Sequence, residues 1–332
     1  MRLSVLDQST VITGRSPDAS IRESLALARH CEALGYERYW VAEHHNSESI
    51  AGTAPEVLIA AIAATTTRIR VGSAGVMLPH YAALKVAEQF RVLEAIAPGR
   101  IDLGLGRAPG SDGRTAFALN PNAASAAEHF PAMVRDVLDW LHGRPLVEGH
   151  PFRDIKAQPQ GPGAPEVWIL GSSDYGAQVA AHFGLPYCFA HFITDGAGAA
   201  EALALYRARF RPGVLAAPHA AICVWALAAP TEAEAEHLFA SRALTRLWRD
   251  QGVFAPLPSP EEALATPLSE AQRAQIARIR ARAICGTGPA VAARLLELAA
   301  ALEAAEVAVL TATQDPEARR RSYALLAASA RG

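Results

Sequence analysis

Neither sign of charge is in excess in this chain. Its 31 Lys and Arg stand against 33 Asp and Glu, a net charge of -2, so there is no basic field for nucleic acid and no polybasic patch for a membrane surface. Cysteine is scarce. Cys31, Cys188, Cys223 and Cys285 stand far apart without CxxC or Cys/His ligand spacing, so neither a disulfide framework nor a zinc site is indicated. No apolar run reaches membrane-spanning length and the amino terminus carries no signal-like pattern, which sets the expectation of a soluble cytoplasmic enzyme. With 332 residues, 51% of them hydrophobic, the chain fits one barrel with insertions better than two small domains.

Short β-rich runs alternate along it with longer, alanine-rich amphipathic segments. Strands are expected at residues 3–7, 38–42, 69–77, 100–106, 166–170, 187–190, 220–227 and 307–311, from their β-branched and aromatic content. Helices are expected at 20–34, 54–66, 82–96, 123–141, 175–183, 197–210, 231–246, 270–281, 289–302 and 316–328. Asp18 and Thr231 stand at helix starts, Thr231 in capping-box spacing with Glu234, and Gly35 and Gly184 follow helix ends. Eight strands separated by helices imply a parallel sheet closed into a (β/α)8 TIM barrel, with residues 1–332 as a single domain. Arg319 to Arg321, beside Glu317, read as a solvated helix face.

Two connections are longer than the barrel needs. Residues 107–122 are rich in Gly, Pro and Asn and read as a loop over the mouth of the barrel. Residues 250–269 carry four prolines within PLPSPEEALATPLSE, a density that argues against regular helix and for a mobile lid.

The densest chemistry lies in YWVAEHHN, where Glu43, His44 and His45 follow the second strand. In a barrel this is the carboxyl-terminal rim, where catalytic side chains gather. Further on, GLGRAPG has GxGxxxG spacing with Pro109 interrupting it, a weak dinucleotide signal. It reads better as Gly104 and Gly106 giving a planar ligand close approach, with Arg107 offering a cation to an anion. A surface Arg107 paired with a loop carboxylate such as Asp112 is about as good a reading. Gly171, Ser172 and Ser173 end the fifth strand just before a helix opens near Tyr175 and Gly176. That is an anion-binding amino terminus, or else Ser173 is a plain helix cap.

Taken together, LDQS at Leu6 to Ser9, GYERYWVAEHHN, RIRVGSAGVMLPHY, LEAIAPGRIDLGLGRAPG, ILGSSDYGAQVAAHFGLPY, PLPSPEEA and the closing CGTG and EARRRSYALLA give the chain a resemblance. It resembles the bacterial luciferase-like monooxygenase family over nearly its whole length. The resemblance implies a barrel that binds FMN across the strand carboxyl ends, with His44 as the active-site imidazole. It makes Arg107, Ser172, Ser173 and the backbone near Gly176 phosphate ligands, with Gly171 a further cofactor-binding residue. It also places Ala74 and Gly75 under the isoalloxazine, joined by a non-proline cis peptide. The chain departs from the light-emitting enzyme, with Gly106 in place of a cysteine and Ser172 in place of a carboxylate at the phosphate site, so light emission and a long-chain aldehyde are not implied.

The reaction implied is that of reduced FMN, supplied by a separate flavin reductase, with O2 to give a C4a-hydroperoxide that oxidises a small organic substrate. Glu43, His45 and His80 rank behind His44, and Asp7 or Ser9 are expected to line the flavin. Three other readings carry weight: hydride transfer from a reduced deazaflavin, a metal-dependent hydrolase using His44, His45 and His80, and a flavin-binding protein without turnover. The apolar helices at 54–66 and 82–96, together with the resemblance, point to a homodimer.

Overall fold

The computed structural model describes residues 1–330. Ten strands form one sheet: β1 (Arg2–Asp7), β2 (Arg38–Val41), β3 (Arg70–Ser73), β4 (Val76–Met77), β5 (Ile101–Gly106), β6 (Glu166–Gly171), β7 (Tyr187–Phe189), β8 (Ala220–Ala229), β9 (Ile284–Thr287) and β10 (Glu306–Leu310). Every pairing is parallel, and β10 bonds both β1 and β8, which closes the ring into the expected eight-stave (β/α)8 barrel. No helix among the described residues is long and apolar enough to cross a membrane.

The two faces of each strand have separate work, as the period of two requires. In β8, Ile222, Val224, Ala226 and Ala228 join the layer under the outer helices, whereas Ala221, Cys223, Trp225, Leu227 and Ala229 face the cluster that also holds Leu6, Trp40, Trp168 and Leu310. At the amino-terminal end an ionic floor adds to this interior. Arg38 is buried and holds both oxygens of Asp102 at 2.9 Å and Glu306 at 3.1 Å, while Arg70 holds Asp102 at 2.5 Å. The other end is left open for chemistry.

Several expectations needed correction. The third stave is not continuous: β3 and β4 are separated at Ala74–Gly75, which is a cis peptide as the resemblance implied, and each half bonds β5. β9 was not foreseen; only four residues long, it extends the end of β8 beyond the segment that bonds β10. The stretch 107–122 contains a helix, Gly113–Leu119, because Asp112 caps it through the Arg114 and Thr115 amides. The helix expected at 123–141 is two helices, Ala123–Glu128 and Phe130–Leu141, parted just before Pro131. At the first helix the cap is Ser16 with Pro17 opening the turn, and Asp18 lies inside it.

The 250–269 stretch also differs from its reading. Pro260 opens a helix, Pro260–Ala265, behind a full capping box of Ser259 and Glu262, since proline is tolerated in a first turn. Leu257 is tied by backbone hydrogen bonds to Val11 and Thr13. What is free of such ties is the short run around Phe254 to Pro256. Arg319 is not solvated. Its guanidinium donates to Asp7 at 2.8 Å and to the Thr311 carbonyl at 2.7 Å, pinning the last helix to β1.

Candidate active site

A cavity of about 790 Å³ opens at the carboxyl ends of the strands, well within the ~300–1,000 Å³ of small-molecule and cofactor sites. Its wall takes Leu6 and Gln8 after β1, His44 and His45 after β2, Ala74 and Gly75 at the break in the third stave, Gly106 and Arg107 after β5, and Gly171 to Ser173 after β6. Convergence of so many strand ends is what the barrel topology makes possible.

The loop after β2 turns sharply, with Asn46 at φ +52°. Glu43 and His45 are separated by its geometry from His44. The Glu43 carboxylate is fully buried and accepts from the Met77 amide at 3.0 Å, the Tyr81 hydroxyl at 2.6 Å and His45 Nε2 at 2.8 Å. It does not reach the cavity wall; it positions the loop and the His45 ring. His44 is on the wall, and its Nδ1 is buried without a hydrogen-bond partner. Burial pulls the His44 pKa down to about 4, Glu43 opposes the fall, and His45 and Arg249 add to it. The imidazole is therefore neutral at pH 7.

His80, a second choice from sequence, is buried with Nε2 donating to the Pro109 carbonyl at 2.7 Å. It clamps the following loop and is not on the wall. Asp7 and Ser9 are also off it. They point outward from β1, Asp7 to Arg319 and Tyr39, and Ser9 to Ser24, because the wall positions around them are Leu6, Gln8 and Thr10.

The glycine run divides in the same way. A Cβ on Gly104 would come within 2.1 Å of the Ser73 carbonyl oxygen, so Gly104 permits close packing of β5 on β3 and gives no ligand access. Gly106 does line the cavity, where a Cβ would meet the Met77 side chain and the Val76 carbonyl at ordinary distances. Gly110, with φ +60° and Glu43's carbonyl 3.0 Å from its would-be Cβ, folds the loop back onto the histidine segment.

Arg107 lies with its guanidinium carbon 3.9 Å from the centre of the Tyr175 ring, a cation–π contact that carries it from β5 to the start of the helix Asp174–Phe183. It makes no ion pair with Asp112, whose oxygens serve Asn46, Arg114 and Thr115. At that helix start Ser173 occupies the cap position, yet its side chain makes no capping bond. A cation, a free hydroxyl and the first amides of a ten-residue helix thus meet at one edge of the cavity. This donor set fits a terminal phosphate.

The chain has relatives among known proteins. A family model described as luciferase-like monooxygenase matches residues 1–328. The chain belongs to that family. Among its relatives, the N-acetyl-S-alkylcysteine monooxygenase of Bacillus subtilis (strain 168) is 35% identical over 98% of this chain and 97% of its own. The solved structure of apo-MsnO8 is 38% identical, with a TM-score of 0.89 over 99% of this chain and 98% of that one. The oxygenating constituent of 3,6-diketocamphane monooxygenase from Pseudomonas putida, a type II Baeyer–Villiger enzyme solved with FMN, shares the fold at 19% identity, with a TM-score of 0.71 over 98% of this chain and 96% of that one.

Sequence reading missed part of the site in this family member. Trp225 of β8 lines the cavity with its indole N–H lacking a partner, and Arg242 and Arg249 line it from the helix Glu232–Asp250. The signal was present in the spacing: positions seven apart on a helix share a face.

Proposed function

We propose that the protein is a flavin-dependent monooxygenase that uses reduced FMN and O2 to oxidise a small organic substrate. The observation that carries this reading is the meeting of Arg107, Ser173 and the Asp174–Phe183 helix start at one edge of a cavity that also presents His44. Arg107, Ser172, Ser173 and the amides up to Gly176 would hold the phosphate, and Ala74 and Gly75 would lie under the ring. When bound, reduced FMN would supply the two electrons that activate O2, one oxygen atom of which goes to the substrate and the other to water. His44, neutral at pH 7, lines the cavity, where its imidazole can take up a proton or hold a hydrogen bond. Trp40, Ile169, Leu170 and Phe254 keep the wall largely apolar and limit access of water.

Within 250–269 the lid is the short run of residues 252–256, through Val253, Phe254 and Ala255 on the cavity wall. A separate cytoplasmic reductase provides the reduced flavin. The enzyme works as a homodimer. The test is to supply photoreduced FMN under ¹⁸O2 with a panel of thioethers and ketones and to follow products by mass spectrometry. Gain of one ¹⁸O atom in a product that depends on both FMN and protein supports the reading; product labelled only from water contradicts it.

A further inference from the structure

On the helix Glu232–Asp250 three arginines stand close together but are treated differently. Arg246 is neutralised, with Asp195 at 3.2 Å and Asp250 at 3.0 Å. Arg242 and Arg249 face the cavity and have no carboxylate within ion-pair distance among the described residues. Thr245, between them, donates its hydroxyl to the helix's own carbonyls of Ser241 and Arg242. The guanidinium carbon of Arg242 lies 5.4 Å from the centre of the Trp225 ring, and the Trp225 indole N–H is itself buried and unpartnered.

The cavity offers no internal counter-charge. Asp112 is its one acidic wall residue among those described, and its oxygens are occupied by Thr115, Arg114 and Asn46. Burial and the neighbouring Arg249 and Arg246 pull the Arg242 pKa down to about 9 against the opposing Asp195 and Asp250, so the group still carries its charge at pH 7 with no carboxylate in ion-pair contact. Half-buried cations left without a counter-ion are costly unless a ligand supplies one. Arg249 and His44 line the same cavity. Phe192, Ile193 and Phe254 supply apolar surface on the same wall.

We propose that Arg242, Arg249 and Trp225 form a subsite for the oxyanion head of the substrate, which is therefore an organic acid with an apolar body. The proposal rests on the cavity being the monooxygenase site, and it assigns the flavin phosphate to Arg107 and the substrate anion to this separate pair. The head group is anchored by Arg242 and Arg249, with the apolar body running along Phe192 and Phe254 toward the open centre of the barrel.

Calorimetric titration of the full-length protein with heptanoate and with heptanamide tests the head-group preference directly, because the two probes share shape and differ in charge. Wild type is expected to bind heptanoate about tenfold or more tightly than heptanamide, as charge-assisted hydrogen bonds require. In the Arg242→Gln/Arg249→Gln variant the preference is expected to fall within about twofold, and Arg242→Lys/Arg249→Lys is expected to restore part of it. FMN and riboflavin are titrated alongside to report both folding and the phosphate site. Equal binding of the two probes by wild type, or a preference undiminished in the Gln variant, overturns the proposal. So does a Gln variant that loses FMN affinity while keeping riboflavin, since the pair would then hold the flavin phosphate. Heptanoate preference in a protein that binds no flavin would sink the monooxygenase reading and leave the anion subsite standing. Lost preference with Arg107-dependent FMN binding intact would do the reverse.

Discussion

In the proposed function the chemistry turns on His44 and Arg107, and each makes a distinct prediction. With the His44 pKa drawn down to about 4 by burial, the neutral imidazole is the form present from mildly acid to alkaline pH. The acid limb of kcat/KM, which reports the free enzyme, is expected near pH 4, well below the ~6.5 of an unperturbed histidine. A limb at pH 6 to 7 that vanishes in His44→Ala would contradict this. His44→Ala is further expected to lower product formation by roughly 10²-fold or more while FMN still binds. At this scale the sequence was a good guide to which residues reach the site, because His44, Arg107 and Ser173 are on strand ends and helix starts that periodicity can place. It was a poor guide to which neighbours stand behind them. Glu43, Asp7 and His80 look as reactive as His44 in one dimension, and only the direction of each side chain separates a buried positioning group from a wall residue.

Among the elements, the segment after the helix Glu232–Asp250 carries the lid prediction. Because Leu257 is tied down and Pro260–Ala265 is capped, replacement of residues 252–256 by a Gly/Ser linker is expected to leave FMN affinity nearly unchanged. Hydrogen peroxide released per reduced flavin consumed is expected to rise, measured beside product yield. Unchanged coupling would remove the lid. The proline count misled here because proline breaks a helix in its interior but opens one at its first turn, and the Ser259 and Glu262 signal stood beside it. In contrast, the staves and most helices were legible: parallel strands buried on both faces leave strong apolar runs, and glycine ended the helix at Gly184 with φ +63°. β9 was hidden because four residues with a central glycine carry no periodicity.

For the molecule as a whole, the ion pairs on and under the barrel make stability depend on acid. Burial alone would raise the Glu306 pKa, but His219, Arg38 and Ser4 outweigh it and hold the carboxyl below its usual value. Asp7 is likewise buried, and Arg319, Ser24 and Tyr39 bring its net shift below the usual range. Groups depressed in this way contribute stability that is complete above their unfolded values, about 4, and is lost as pH falls through the lower folded values. Urea midpoints are therefore expected to fall steeply below about pH 4. Arg38→Met, which strips one buried partner from Glu306 and two of the five hydrogen bonds to Asp102, is expected to cost about 3 kcal/mol at pH 7. A neutral effect would mean that Arg70 and His219 suffice.

Val57, Val92 and Ile96 are 66%, 47% and 53% exposed on the helices Pro55–Thr65 and Ala83–Ile96, and sedimentation at micromolar protein is expected to give a dimer that Val57→Glu/Val92→Glu weakens. A sharp monomer peak for wild type would remove the homodimer.

In the proposed function the strand-end cavity grips FMN by its phosphate through Arg107 and the Asp174–Phe183 helix start. Equilibrium titration of flavin fluorescence with FMN, riboflavin and FAD, on wild type and Arg107→Ala, addresses it most directly. FMN is expected to bind more tightly than riboflavin or FAD, with Arg107→Ala weakening FMN by about 1.5 to 3 kcal/mol and leaving riboflavin unchanged. Equal affinity for FMN and riboflavin, or an Arg107→Ala protein that binds FMN as wild type does, would contradict it.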